Sequence, residues 1–342
     1  MGRDEVATGL GEREITNPVD LCLPTGQLNP EAVGWTRRPL HRAALPGRGR
    51  NKRWEYWCVH TPEVVLALTV SDLDYAGLHA VWFLDPDGRE YSATRLKPLS
   101  AMTLPERAYD APIEVRAGDV GIRLLPQSEG VRLRARAPGF AAEVLVRRPP
   151  GHECLGVVVP WSSRRFQYTV KENTLPAQGT VTTPQGTFDI GGPDAWATLD
   201  HGRGRWPYRV TWNWGSGSGR IRQDGRDRVL GLQVGGKWTD GTGATENAIT
   251  LDGVLHKIGD PLVWHYDRSD WSAPWRVSSS SGDIDLTFLP EYERRDVTQL
   301  GVLANETHQC FGTWHGHVGD AQGRRIGVDG IRGWAEEVRN RW

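Results

Sequence analysis

Residues 206–219 read WPYRVTWNWGSGSG, an aromatic run followed by alternating glycine and serine. Trp212 and Trp214 stand two positions apart, and residues i and i+2 of a β-strand point to the same face. The stretch therefore predicts a strand with an aromatic face. The Gly-Ser-Gly-Ser-Gly tail is almost bare backbone, which is typical of a place where a ligand or another chain segment approaches closely. A flexible turn after an ordinary core strand is the alternative.

Short apolar runs separated by turn residues recur along the rest of the chain. Residues 131–137, VRLRARA, alternate strictly between apolar and charged, which predicts a strand with one solvated face. The Asp-Gly pairs at 87–88 and 252–253 predict hairpin turns. Helical periodicity is scarce. We expect one short C-terminal helix over 331–342, with three apolar residues on one side: Ile331, Trp334 and Val338.

The two halves of the chain follow a similar plan. Each opens with an aromatic strand and continues through an apolar strand to an Asp-Gly hairpin. We therefore predict an all-β fold of two sequential antiparallel β-barrels. The expected domains are residues 17–160 and residues 161–342, and we expect the second barrel to hold a ligand pocket.

Composition excludes several classes of function. Lys and Arg number 41 against 42 Asp and Glu, for a net charge of -1, so nucleic-acid and anionic-membrane partners are not expected. No run approaches the roughly 18 apolar residues of a membrane span. The first fifteen residues lack the apolar core of a secretory signal. Four cysteines lie far apart without a CxxC pair, which fits a reducing cytoplasm.

Distinctive stretches run from NPVDLCLPTGQLNPEAVGWTRRPL at 17–40, through RWEYWCV at 53–59 and ATLDHGRGRWPYRVTWNWGSGSG at 197–219, to GWAEEVRNRW at 333–342. Together they resemble a bacterial domain-of-unknown-function family, number 2804, over nearly the whole chain. More remotely, such proteins are similar to the carotenoid 1,2-hydratases (hydroxyneurosporene synthases) and to lipocalin-like Diels-Alderases. The resemblance implies two calycin-like β-barrels. In the hydratases it further implies a carboxylic acid set among Trp and His.

The segment ATLDHGRGRWP is the strongest candidate for chemistry. A buried acid facing indole rings suits the protonation of an alkene, because the acid supplies the proton and the rings stabilise the cation. Asp200, with Trp212 and Trp214, is the nearest match to the acid that the resemblance implies. An Asp–Arg bridge that fixes a loop is the alternative. The segment gathers a carboxylate, an imidazole and two guanidiniums: Asp200, His201, Arg203 and Arg205.

Two further stretches offer polar groups to a ligand. TENAITLDGVLHKI places Glu246 and Asn247 at the start of a strand, and Glu246 could pair with Lys257 across the hairpin. A surface ladder of charges is equally consistent. The aromatic loop WHYDRSDWSAPWR, 264–276, is predicted to be a lid or rim over the pocket, with core packing as the alternative. It would contribute His265, Asp267 and Trp271.

Motifs for metals and cofactors are weak or missing. His315 and His317 form an HxH pair that would point one way on a strand, but no third ligand has a matching spacing, so we predict no metal site. The sequence has no P-loop, no GxGxxG after a strand, no GxSxG elbow and no HExxH. We therefore expect no cofactor.

Together these patterns predict a cytoplasmic, lipocalin-like enzyme that binds a hydrophobic terpenoid or polyene. It would hydrate, dehydrate, isomerise or cyclise that molecule by acid–base chemistry, with Asp200, His201 and Glu246 as catalytic residues. A non-catalytic carrier of an apolar ligand is one alternative. A carbohydrate-active enzyme is the other, with Asp200 paired to Glu246 or Asp267. The predicted substrate contacts are Arg203, Arg205, Trp206, Trp212, Trp214, Trp238, Asn247, His265, Asp267 and Trp271.

Overall fold

The computed structural model describes residues 11–99, 102, 104–300, 303–320 and 322–341. Over these residues the chain is all-β, with one 3-10 turn at Pro30–Ala32 and no α-helix. Two sequential antiparallel sheets curl into barrel-like shapes, the first nearly closed and the second half-closed. The predicted fold class is confirmed.

The first sheet has thirteen strands among the residues described, in the order β7-β6-β5-β4-β15-β13-β11-β10-β9-β8, with β2, β12 and β14 attached beside β13. A separate parallel pair, β1 and β3, lies outside this sheet. The bounds are β1 Val19–Asp20, β2 Trp35–Thr36, β3 His41–Arg42, β4 Asn51–His60, β5 Val65–Asp72, β6 Ala76–Leu84, β7 Glu90–Pro98, β8 Ile113–Ala117, β9 Val120–Gln127, β10 Gly130–Ala137, β11 Phe140–Arg147, β12 Leu155–Ser162, β13 Arg165–Thr183, β14 Gly186–Ile190 and β15 Trp196–Arg205.

The second sheet has nine strands within the described ranges, in the order β19-β18-β17-β16-β24-β23-β22-β21-β20. Each barrel has its own apolar interior, with Trp57 and Leu199 in the first and Trp275 and Trp314 in the second. The bounds are β16 Arg209–Gln223, β17 Arg226–Gly236, β18 Asn247–Leu251, β19 Val254–Ile258, β20 Leu262–His265, β21 Trp275–Ser279, β22 Ile284–Leu300, β23 Leu303–Gly319 and β24 Arg325–Arg341.

The glycine-rich tail of the opening stretch lies inside β16, and other parts of the chain approach it closely. A Cβ on Gly215 would lie 2.6 Å from the Trp314 ring, and one on Gly219 would lie 2.8 Å from Ile331. The prediction of a close approach by another chain segment is therefore confirmed. The hairpin at 252–253 is confirmed as well, with both residues at positive φ between β18 and β19.

The predicted C-terminal helix is wrong. Residues 325–341 form β24, which pairs with β16 on one side and β23 on the other. The three apolar residues that suggested a helix are buried in the strand, but so are nearly all residues between 333 and 338. A strand buried on both faces does not alternate strictly, so its apolar spacing can imitate a helix.

The chain changes from the first sheet to the second between Arg205 and Arg209. The expected domain boundary at 160/161 falls instead inside β12. The double proline before β12 suggested a crossover, but the long strand β13 returns to the first sheet. The division into separate domains stays a prediction.

The two barrels pack through the outer faces of their sheets. Trp82 of β6 stacks on Phe311 of β23 with ring centres 5.2 Å apart, and Trp334 of β24 is fully buried beside them. This contact between the sheets positions the candidate site. The described residues include no helix long and apolar enough to cross a membrane.

Candidate functional site

A buried ammonium joins the two sheets. Lys171 lies on the outer face of β13, next to Asp200 of β15 in the strand register. Its Nζ lies 3.0 Å from Asp200 Oδ2 and 3.6 Å from Oε2 of Glu246, which comes from the second sheet. The same ammonium lies 3.6 Å from the ring centre of Trp214 in β16. One cation therefore contacts a carboxylate from each sheet and an aromatic face.

Asp200 receives hydrogen bonds on both carboxylate oxygens. Trp54 Nε1 donates to Oδ2 at 3.0 Å, and Thr169 Oγ1 donates to Oδ1 at 2.8 Å. With Lys171, three donors surround a side chain that is only 10% exposed. Donors of this kind stabilise the charged form of a carboxylate.

Two glycines make room for the polar side chains of the site. A Cβ on Gly202 would lie 2.1 Å from the Trp54 ring, so that indole lies directly over the glycine and reaches Asp200. On the second sheet, a Cβ on Gly235 would lie 2.2 Å from Glu246 Oε1. These glycines serve close approach, since no side chain fits beneath either group.

Glu246 and Glu336 are buried acids of the second sheet. Burial raises the pKa of each to about 7, and Lys171 only partly offsets this effect. Trp238 Nε1 donates to Glu246 Oε1, while Glu246 Oε2 has no hydrogen bond among the described residues. Trp212 Nε1 donates to Glu336 Oε1 at 2.9 Å. We call Lys171, Asp200, Glu246 and Glu336 the acid cluster.

The neighbouring Glu337 shows how much the local partners matter. It points to the opposite face of β24, where Lys237, Tyr266 and Arg268 all donate hydrogen bonds to it. Burial would raise the pKa of Glu337, but these three donors outweigh burial and lower it to about 2. Only Glu336 of the two glutamates is therefore suited to hold a proton at neutral pH.

Five indoles form a wall beside the acid cluster, and we call them the tryptophan cluster. Trp206 is central and stacks on Trp238 with ring centres 5.6 Å apart. Three more rings meet Trp206 edge to face at 5.1–5.6 Å, and all three are partly exposed. They are Trp54, Trp161 and Trp212. The cluster thus reaches from the buried acids to the protein surface.

Trp212 and Trp214 lie between the two sheets, not inside the second barrel as predicted. Trp214 packs with the buried residues that join the sheets, while the interior of the second barrel is filled by other side chains. The alternation within β16 correctly put both rings on one face. It could not tell whether that face points into the barrel or toward the first sheet.

The other charged residues of the segment 197–207 point away from Asp200. His201 Nδ1 lies 2.6 Å from Glu55 Oε1, and Arg203 Nη2 donates to the same oxygen at 2.7 Å. Arg205 bonds Asn51 and backbone carbonyls of the N-terminal segment. The alternative of an Asp–Arg bridge is wrong for these residues, because odd and even positions of β15 face opposite sides. The cation beside Asp200 is Lys171.

The aromatic loop after β20 packs against the second barrel. Tyr266 stacks on Trp275 at 4.2 Å, and Trp271 stacks on His308 at 4.0 Å. His265 and Asp267 are exposed, and Asp267 accepts bonds from Ser269. These contacts correspond to the core-packing alternative, and the structure does not place the loop's predicted residues beside the acid cluster.

Asn247 and Lys257 have structural partners near the site. Asn247 Oδ1 accepts from the backbone of Gly235 at 2.7 Å, which fixes the start of β18. Lys257 Nζ binds Glu12 Oε1 at 2.7 Å and Thr245 Oγ1 at 2.5 Å. The possible pairing of Glu246 with Lys257 is replaced by these contacts.

The two histidines of the HxH pair have different hydrogen-bond partners. His315 contacts Asp329 and Thr313, while His317 contacts the Gly282 carbonyl. Within the part of the chain that the structure describes, no three His, Cys, Asp or Glu side chains are grouped to hold a metal ion.

Sequence reasoning missed Lys171 and Glu336. In FQYTVKEN, Gln167, Thr169 and Lys171 alternate with apolar residues, so a polar face on an otherwise buried strand was a readable signal. In WAEEV, the helical interpretation hid the fact that Trp334 and Glu336 share a strand face. Neither pattern indicates which side chains of the other sheet Lys171 and Glu336 lie beside.

Two solved structures that align with TM-scores of 0.50 and 0.52 agree with this architecture. A search of curated proteins found no match. A putative AttH from Nitrosomonas europaea aligns with a TM-score of 0.50 and 13% identity over 84% of this chain and 92% of that one. Kievitone hydratase from Nectria haematococca aligns with a TM-score of 0.52 and 10% identity, over 86% of this chain and 89% of that one. CghA with Sch210972 aligns with a TM-score of 0.41 and 10% identity, over 88% of this chain and 89% of that one.

At these identities the putative AttH and kievitone hydratase show similarity of fold alone. The family model described as Domain of unknown function (DUF2804) covers almost the entire sequence, from residue 12 to residue 342. This chain therefore belongs to the DUF2804 family.

Proposed function

We propose that this protein is an enzyme that transfers a proton to or from a hydrophobic terpenoid- or polyene-type molecule. It hydrates, dehydrates, isomerises or cyclises that molecule without a redox cofactor. The observation that carries the proposal is Glu246, a buried acid with a pKa of about 7 that lies between Lys171 and the tryptophan cluster. An acid with this pKa is half-protonated at neutral pH, which suits general acid–base catalysis.

In the hydration direction, protonated Glu246 gives its proton to one carbon of an alkene. The π pair forms the new C–H bond, and the adjacent carbon becomes a cation. Water then adds to that carbon and loses a proton to a carboxylate of the acid cluster, which completes the alcohol. Loss of a proton from another carbon to that carboxylate gives an isomer. Attack by a second alkene of the same molecule closes a ring and moves the positive charge to a new carbon, which then loses a proton to the carboxylate or adds water.

Asp200 and Lys171 set the electrostatic environment of Glu246 but do not supply the first proton. The ammonium and the Trp54 and Thr169 donors all contact the Asp200 carboxylate. The Asp200 carboxylate in turn raises the pKa of Glu246, as a nearby like charge does. Asp200 is therefore proposed as the acceptor of the proton that water releases, and His201, on the opposite face of β15, is left out of the mechanism.

The tryptophan cluster is proposed to hold the apolar substrate. Indole faces bind apolar surface and stabilise cations by cation–π attraction. Trp54 and Trp212 donate to carboxylates of the acid cluster while remaining partly exposed, so they connect the substrate surface to the acids. One neighbour in fold carries the name hydratase, which supports this choice at the level of fold.

Solvent-deuterium exchange tests the proposal. Linalool, nerolidol, squalene and lycopene are each incubated with the protein in D₂O and analysed by mass spectrometry, and their binding is followed by tryptophan fluorescence. We expect at least one to gain deuterium at carbon. Glu246→Gln keeps the hydrogen bond from Trp238 and should lower that rate by roughly 10²- to 10⁴-fold with binding retained. Glu153→Gln, which removes a carboxylate outside the site, is the matched control.

Other outcomes would contradict the proposal. Binding without exchange would identify a carrier. Absence of binding to every compound would contradict the proposed hydrophobic ligand class. Equal exchange by Glu246→Gln and the wild type would remove Glu246 from the chemistry.

A further inference from the structure

Four arginines gather at one edge of the tryptophan cluster, and we call them the arginine rim: Arg50, Arg164, Arg165 and Arg205. The hairpin from β12 to β13 carries two of them, and the strand register brings the end of β15 and the start of β4 beside that hairpin. Arg50 donates from Nη2 to the carbonyl oxygen of Trp206 at 3.2 Å, and Trp161 precedes Arg164 in the same hairpin. The rim therefore borders the partly exposed rings of the cluster.

The positive charge of the rim is not balanced by any carboxylate of the described residues. Arg205 is held by Asn51 and two backbone carbonyls, all of them uncharged. Arg50 and Arg165 each donate one side-chain hydrogen bond, to a backbone carbonyl, and the exposed Arg164 side chain donates none within the described ranges. A guanidinium has five N–H donors, so most donors of these three arginines remain available to a ligand.

The guanidiniums of the rim repel one another. Burial and the other three members of the rim lower the pKa of Arg165. On the outer face of β10, by contrast, Arg132 and Arg134 share the carboxylate of Glu143. Like charges that lie together without an acid are unfavourable, and a ligand with several negative charges would reverse that effect. Guanidinium groups bind phosphate through paired hydrogen bonds, and a diphosphate balances several of them where a single carboxylate does not.

The rim and the acid cluster lie at two ends of one strand face. Arg165 and Lys171 share the outer face of β13, six residues apart, which corresponds to about 20 Å along an extended strand. Between them, Gln167 accepts a hydrogen bond from the indole of Trp206 at 2.6 Å, so the tryptophan cluster lies between the rim and the acids. A molecule with its anionic head at the rim would place its apolar chain over the indoles and its far end toward Glu246.

We infer that the arginine rim binds the diphosphate group of an isoprenoid diphosphate, whose hydrocarbon chain follows the tryptophan cluster to the acid cluster. The inference rests on the proposed function, because it names the substrate class of the same site. A double bond far from the phosphates receives the proton, and the carbon–oxygen bond to the diphosphate stays intact. A chain of farnesyl or geranylgeranyl length suits the distance of about 20 Å between the rim and the acids.

Calorimetry on the full chain at pH 7.5 tests the inference with three probes, the lipids being kept below their critical micelle concentrations. These are geranylgeranyl diphosphate, geranylgeraniol, which lacks the phosphates, and inorganic pyrophosphate, which lacks the chain. We expect geranylgeranyl diphosphate to bind about 10- to 100-fold more tightly than the alcohol, because the alcohol cannot form the charge-assisted hydrogen bonds. Pyrophosphate should bind at least about tenfold more weakly than geranylgeranyl diphosphate, because it buries no apolar surface.

Arg165→Gln removes one guanidinium of the rim. It should weaken geranylgeranyl diphosphate by about 5- to 20-fold and change geranylgeraniol binding by less than about twofold. It should not lower the unfolding free energy, since it relieves repulsion and breaks no ion pair. Arg164→Gln, at an exposed turn position, should weaken the diphosphate in the same way and decides the matter if Arg165→Gln does not fold. Arg136→Gln, at an exposed arginine of β10 without an ion pair among the described residues, is the matched control and should leave binding unchanged.

Glu246→Gln separates this inference from the proposed reaction. This variant should bind geranylgeranyl diphosphate within about twofold of the wild type while its deuterium exchange falls. Diphosphate binding that depends on the rim, without exchange in the wild type, would support the head-group site and contradict the proposed reaction. Exchange that depends on Glu246, with diphosphate binding unaffected by either rim variant, would overturn this inference and leave the proposed reaction standing.

Three further results would overturn the inference. The first is equal binding of geranylgeraniol and its diphosphate. The second is binding of pyrophosphate as tight as that of geranylgeranyl diphosphate, which would identify a site for anions alone. The third is the same loss of diphosphate affinity in Arg136→Gln as in Arg165→Gln, which would show attraction to the overall positive charge and not to the rim.

Discussion

Lys171→Met tests the central contact between the two sheets. Methionine fills much of the space of the lysine side chain but removes the ammonium that Asp200 and Glu246 share. Asp200 would keep its bonds from Trp54 and Thr169 while losing the ammonium at 3.0 Å. Removing one partner of a buried ion pair costs about 3–5 kcal/mol, because the other charge is left uncompensated.

Asp200→Asn should cost less, about 1–3 kcal/mol. Its amide still offers an oxygen to Trp54, and Lys171 keeps Glu246 at 3.6 Å and the face of Trp214 at 3.6 Å. The double variant no longer contains the unpaired carboxylate of Lys171→Met. Its loss of unfolding free energy should therefore be smaller than the sum of the two single losses by about 1–3 kcal/mol.

The measurement is urea unfolding at pH 7.5, followed by tryptophan fluorescence, for the wild type and the three variants. Lys97→Met, at an exposed lysine of β7, is the matched control and should change the unfolding free energy by less than about 0.5 kcal/mol. A Lys171→Met loss as small as that of the control would refute the argument. Strict additivity in the double variant would refute the coupling.

Two further outcomes follow from the packing and the acids of the site. Gly202→Ala should lower the unfolding free energy by about 1–3 kcal/mol and shift tryptophan emission, because the new methyl group displaces Trp54. The control Gly191→Ala, which has open space around it, should do neither. Raising the pH from 5 to 8 should remove the stabilisation that Glu246 and Glu336 contribute, since both bind protons more tightly when folded: their contribution is complete below pH 4.5 and is lost as the pH rises through about 7. One such shift corresponds to about 3 kcal/mol, so in urea titrations the stability of the wild type relative to Glu246→Gln should fall by about that amount between pH 5 and pH 8, and a constant difference would contradict the assignment.

Local patterns in the sequence predicted much of the fold. The i, i+2 spacing of Trp212 and Trp214 put both rings on one face, and the bare backbone after them marked a close approach. Asp200 was found because an acid so near a tryptophan-rich strand is unusual. Each of these signals lies within a few residues of the group it concerns.

The remaining features depend on contacts between distant segments. Lys171 contacts Glu246 across the two sheets, and nothing in the sequence around either residue indicates this contact. His201 was predicted as catalytic because it adjoins Asp200, but neighbours in a strand face opposite sides. The C-terminal helix was predicted because a doubly buried strand lacks strict alternation.

The acid cluster depends on both sheets for its chemistry. Asp200 and Lys171 come from the first sheet, whereas Glu246 and Glu336 come from the second, so neither sheet alone brings the cation to the two glutamates. One ammonium cannot balance three buried carboxylates, and burial together with the nearby Asp200 carboxylate raises the pKa of the other two. The raised pKa of Glu246 and Glu336 is thus a consequence of how the barrels pack, and the proton that the proposed reaction needs is held at that contact.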